Sequence, residues 1–104
     1  MNDDRISQVF GNLQELEKRV EHCKKILSRK RKYEPNLTLM LRQQEQILVK
    51  MRRTANKLQL ENASEDWQNF YRSLNVFNGL RAIVQPEILQ TFSELSINKA
   101  EVRA

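Results

Sequence analysis

The chain has 104 residues, of which 39% are apolar and 30% charged, and its 18 Lys/Arg outweigh 13 Asp/Glu to give a net charge of +5. That is enough chain for one domain around a modest core, but its two Gly and two Pro are too few for an all-β fold, which turns about every 8–12 residues. No apolar run reaches the roughly 18 residues of a membrane span, no signal peptide is expected from the acidic Met1-Asn2-Asp3-Asp4-Arg5 and the amphipathic pattern after it, and the single Cys23 cannot form an internal disulfide, which fits an expected intracellular setting, the cytoplasm first and the nucleus as alternative.

The first predicted element is a helix over about 4–32. Ile6, Val9, Leu13, Leu16, Val20, Cys23 and Leu27 alternate in spacings of three and four, a heptad seam that Phe10 and Ile26 widen. Tyr33-Glu34-Pro35-Asn36 breaks it, because proline drives its predecessor out of the helical region and Asn36 is a suitable N-cap. The second helix, about 37–61, carries the mirror-image seam Leu37, Leu41, Gln44, Leu48, Met51, Ala55 and Leu58, widened by Met40 and Ile47. Two long helices joined by a short turn make an antiparallel hairpin about 40 Å long.

Asn62-Ala63-Ser64 ends the hairpin, with Ser64 as the expected N-cap and Glu65 and Asp66 in the first turn, where the helix dipole favours acids. A third helix, about 65–84, is apolar on two sides. Trp67, Phe70, Tyr71, Leu74, Phe77 and Val84 form one side, and Val76, Leu80 and Ile83 the other. Pro86 predicts a new start or a kink, and a fourth helix is expected over about 87–96, with Ile88, Leu89, Phe92 and Leu95, before a tail at 98–104 that frays. The expected fold is therefore all-α, a single helical bundle over 1–104 in which a long hairpin is capped by two shorter helices. Two short helices do not cover a hairpin of that length, so a second copy or a partner protein is expected on the remaining apolar surface.

Charge is distributed unevenly along this pattern. Residues 18–57 hold 13 Lys/Arg against Glu21, Glu34 and Glu45, whereas the other 64 residues hold 5 Lys/Arg against 10 acids. Lys18, Lys25, Arg29 and Lys32 share the face of the first helix opposite its seam, and Lys50, Arg53 and Lys57 do the same on the second. Three readings of these stripes compete: a solvated face, a phosphate-backbone contact to DNA or RNA, and a contact to an acidic protein or lipid surface. Arg29-Lys30-Arg31-Lys32 also resembles a short nuclear-localisation patch. Only Tyr33 offers an aromatic ring within the basic block and no short helix-turn-helix spacing is visible, so any nucleic-acid contact is predicted to be electrostatic and weakly specific.

Catalytic signals are missing from the sequence. His22 and Cys23 are the single representatives of their types, and adjacent helical residues do not face one another. No glycine-rich phosphate loop and no metal-ligand spacing occur, so no catalytic, cofactor or metal site is expected. The primary reading is a small non-enzymatic interaction module, an adaptor, assembly subunit or regulator that acts by stoichiometric protein binding. Its candidate contact residues are Trp67, Phe70, Tyr71, Val76, Phe77, Leu80 and Ile83. The alternative is a nucleic-acid-associated regulator using the basic stripes.

Overall fold

The computed structural model describes residues 4–29 and 34–103, with side-chain surroundings up to residue 93. It is an all-helical bundle of three helices, α1 (Asp4–Ser28), α2 (Pro35–Glu61) and α3 (Ser64–Arg103). The molecule is a rod of 59 × 25 × 16 Å. Its radius of gyration of 16.9 Å exceeds the roughly 13 Å of a compact domain this long.

The hairpin forms in the expected register. All seven predicted seam residues of α2 are buried, Gln44 among them. On α1, Val9, Leu13 and Val20 are buried, while Ile6, Leu16, Cys23 and Leu27 are only half-covered and Ile26 is buried in their place. Two ion pairs tie the arms together. Arg52 donates to both carboxylate oxygens of Glu17, with Nε to Oε2 at 3.1 Å, and Lys24 Nζ lies 2.8 Å from Glu45. A step of seven up α1, from Glu17 to Lys24, matches a step of seven down α2, from Arg52 to Glu45. Both pairs centre on the junction of Glu34 and Pro35, which fixes an antiparallel pairing.

The helix ends differ from expectation in detail. Proline at a first helical position loses an N–H that would have no intrahelical partner anyway. Pro35 accordingly opens α2 and Glu34, with φ −117° and ψ 87°, is its N-cap, in place of Asn36. The Glu34 carbonyl accepts from both the N–H and the Oγ1 of Thr38, at 3.0 and 2.9 Å. At the other end Asn62 takes the left-handed conformation, φ 50° and ψ 44°, and its N–H donates to the Leu58 carbonyl at 2.8 Å. Asn is among the few non-glycine residues that adopt this cap readily. The Ala63 carbonyl accepts the first bonds of α3, so Ser64 is already helical rather than its cap.

The main departure is in the last forty residues. The two short helices expected on either side of Pro86 are one helix, which also runs on through Arg103 over the segment expected to fray. A proline inside a helix removes a backbone bond and costs about 3 kcal/mol. Pro86 is exposed, however, while Val84 and Ile88 on either side of it are 2% and 3% accessible. Phe70, Phe77, Val84 and Thr91 are buried at strict seven-residue intervals, so the heptad seam passes through the proline unbroken. Burying large apolar side chains contributes about 1.5–3 kcal/mol each, enough to offset the lost bond.

This single long α3 packs mainly along α2 and touches α1 less. Leu13, Met51, Leu58 and Phe77 form the most occluded part of the core. No helix among the described residues is long and apolar enough to cross a membrane.

Candidate functional site

Because α3 leans on α2, the side of the bundle between α1 and α3 stays open as a groove of about 610 Å³. Its walls are apolar: Leu16, Val20, Cys23 and Ile26 from α1, and Phe77, Val84, Ile88, Leu89 and Phe92 from α3. Gln44 of α2 completes the lining. Leu89 and Phe92 are 57% and 51% accessible, large apolar side chains left facing water at the edge.

Two polar residues occupy positions in this groove that the heptad pattern assigns to apolar ones. Gln44 is only 3% accessible and its side chain has no hydrogen-bond partner among the described residues. No fully occluded side-chain N or O among them lacks a partner either, so the Gln44 amide keeps its access through the groove. Arg81 interleaves with Phe77 and Val84 on α3 and is half-buried. Its Nε donates to Gln85 Oε1 at 2.8 Å, and no carboxylate among the described residues lies within ion-pair distance of it. The charge of Arg81 reaches across to α1: burial pushes the Cys23 thiol above its ordinary value, and the nearby guanidinium partly opposes that rise.

The rim is basic. Lys18 and Arg19 stand on the α1 side and Arg81 on the α3 side, against one acid, Glu15. Glu15 is already engaged by Arg19 at 3.2 Å.

The predicted basic stripes fall on the outside of the bundle. Lys18, Lys25, Arg29, Lys50, Arg53 and Lys57 are all exposed, and Lys32, like its neighbours Lys30, Arg31 and Tyr33, lies outside the described residues. The structure divides the basic block in two. Arg19, Lys24 and Arg52 pair with Glu15, Glu21 and Glu45, and Glu17. The six exposed stripe residues have no carboxylate partner among the described residues. Lys18 belongs to both features, on the α1 stripe and at the groove rim.

The predicted protein-contact residues separate as well. Phe70 and Phe77 are 4% and 1% accessible and belong to the bundle's own packing. Val76 and Ile83 are exposed with Leu80 half-covered between them, on a flank of α3 next to the buried seam. Trp67 and Tyr71 sit at the α2–α3 corner. The Trp67 indole donates to Asn62 Oδ1 at 2.6 Å, stacks on Tyr71 at 6.1 Å, and carries the Arg5 guanidinium 4.9 Å from its ring.

Gln44, Arg81, Leu89 and Phe92 were not singled out as site residues by sequence reasoning. The available signal was a polar residue at a seam position, Gln44 in α2 and Arg81 in α3. No group of three or more His, Cys, Asp or Glu among the described residues is placed to hold a metal ion. No protein-family model, curated protein or solved structure matches the chain.

Proposed function

We propose that the protein is a non-enzymatic interaction module that binds a protein partner stoichiometrically through α3. The observation that supports this reading is the set of large apolar side chains that α3 leaves in water: Tyr71, Val76, Ile83, Leu89 and Phe92, each more than half accessible. Side chains of this kind gain about 1.5–3 kcal/mol each on burial, and Tyr is among the residues that dominate interface energetics. Val76 and Ile83 lie on one flank of the buried seam of α3 and Tyr71, Leu89 and Phe92 on the other, with Leu89 and Phe92 at the groove edge, so α3 offers two apolar contact flanks.

The test pairs two double variants, Val76→Glu with Ile83→Glu and Leu89→Glu with Phe92→Glu, against the wild type. All four positions are exposed, so both variants are expected to keep the wild-type unfolding midpoint. In quantitative affinity capture and light scattering, at least one double variant is expected to lose a stoichiometric partner or a second copy. Identical recoveries and masses for all three proteins would overturn the reading.

A second reading, electrostatic contact to a nucleic-acid backbone, is favoured by one observation: the six described stripe residues have no carboxylate partner among the described residues. Contact with a phosphate backbone makes affinity fall steeply with salt. Generic duplex DNA and RNA titrated at about 50 and 200 mM salt test it, and an absence of binding at the lower salt removes it.

A further inference from the structure

We infer that the groove between α1 and α3 is the seat of an acidic amphipathic helix supplied by a partner protein, which completes the bundle as its fourth helix. This inference rests on the interaction-module reading and names the class of partner.

Shape comes first. The α1 wall from Leu16 to Ile26 and the α3 wall from Phe77 to Phe92 run for roughly 15 and 22 Å. That length takes about three to four turns of helix. A groove lined on both sides by helices is filled by another helix presenting an apolar stripe, the geometry by which bundles close their cores.

Charge selects among helices. Lys18, Arg19 and Arg81 rim the groove, and its one acid, Glu15, is paired with Arg19, which leaves Lys18 and Arg81 as its net positive charge. An incoming helix with Asp and Glu flanking its apolar stripe meets complementary charge on both sides, whereas a basic helix meets repulsion. Arg81 is half-buried and without a carboxylate among the described residues, so it is the rim charge that gains most from an acid brought to it.

Gln44 supplies the independent polar signal. Gln44 is 3% accessible and its side chain has no hydrogen-bond partner among the described residues, so its amide is satisfied only through the open groove and needs a replacement partner once the groove is filled. At the groove it can hydrogen-bond a polar side chain that reaches down from the occupant. A polar residue at a single seam position also fixes the register of the helix packed against it.

The experiment uses the full chain and synthetic helical peptides of about 18 residues, long enough to span the groove. One carries Leu at i, i+3, i+4 and i+7 spacing with Glu on both flanks. The control keeps every Leu and replaces each Glu by Lys. Binding is followed by peptide fluorescence anisotropy and by amide chemical-shift mapping on the labelled protein. The acidic peptide is expected to bind at least about tenfold tighter than the basic control and to shift residues on the groove walls. Leu89→Glu with Phe92→Glu is expected to abolish binding, and Lys18→Glu with Arg81→Glu to reverse the peptide preference. Gln44→Leu, which removes a polar group from the seam without opening a cavity, is expected to fold normally and to weaken binding about two- to tenfold.

Equal affinity for both peptides, or shifts confined to residues outside the groove, would overturn the inference. So would a wild-type dimer that dissociates on Leu89→Glu with Phe92→Glu, because the occupant would then be a second copy. If the peptides fail while Val76→Glu with Ile83→Glu still costs the protein a partner, the inference falls and the interaction-module reading stands.

Discussion

Asn62 and Trp67 tie together the corner where α2 hands over to α3. Asn62 holds a left-handed backbone, closes α2 through Leu58 and accepts the Trp67 indole N–H at 2.6 Å. Two substitutions separate these roles. Asn62→Gly keeps the favourable backbone and loses the side chain's bond to Trp67, so it is expected to cost at least about 1 kcal/mol. Asn62→Ala loses the bond and must also hold a left-handed conformation that costs non-glycine residues about 1–2 kcal/mol, so it is expected to be the more destabilising of the two in urea unfolding. Trp67→Ala also removes the stacking on Tyr71 and the Arg5 contact, and about 2–3 kcal/mol is expected, below the full cost of a buried tryptophan because the ring is only half-covered. Cys23 gives a pH test. Burial raises its thiol in the folded state, with Arg81 opposing. The folded protein therefore holds the thiol proton after the unfolded chain has released it, and stability falls as pH rises past about 9. Cys23→Ala is expected to lose that part of the alkaline destabilisation, read as the difference between wild-type and variant unfolding midpoints across pH 7–10.

At the scale of single helices, Pro86 decides how many there are. Local rules break the chain there, since proline removes a backbone bond and restricts the residue before it. The continuous α3 prevails because Phe77, Val84, Ile88 and Thr91 lie on one face across the break and are buried together. Pro86→Ala restores a donor to an exposed position in the helix interior. It is expected to stabilise the protein by about 1–3 kcal/mol, a rise of several degrees in thermal midpoint for a chain this size. Two separate helices meeting at Pro86 would give no gain. The seams were legible in the sequence to different degrees. α2 is contacted along its length by both neighbours, and every residue of its predicted seam is buried. α1 faces the groove on one side, so Leu16 and Cys23, which fit the same pattern, remain half-covered.

Over the whole molecule, the basic middle of the sequence divides into paired and unpaired charges. Glu17–Arg52 and Lys24–Glu45 staple α1 to α2, though solvent screening leaves exposed pairs of this kind a small part in stability. Lys50, Arg53 and Lys57 form no such pairs among the described residues. Replacing all three by Glu is expected to leave the unfolding midpoint within about 0.5 kcal/mol of wild type. If they contact a nucleic-acid backbone, the same change is expected to lower the slope of log affinity against log salt by about 0.9 per lost contact on duplex DNA. An unchanged slope would assign the α2 stripe to solvent.

The sequence by itself determined that the chain is helical, the pairing of α1 with α2 and the full α2 seam, the turn near Glu34 and the outward placement of Lys18, Lys25, Arg29, Lys50, Arg53 and Lys57. Each follows from periodicity within one segment, because a residue's face on a helix depends only on its spacing from its neighbours. Only the tertiary structure decided that α3 runs through Pro86, that Phe70 and Phe77 serve the core while Val76 and Ile83 face water, and that α1 and α3 stand apart with Gln44 and Arg81 between them. Those outcomes depend on which helix leans on which. That choice is a balance of packing between residues far apart in the chain, and no local spacing records it.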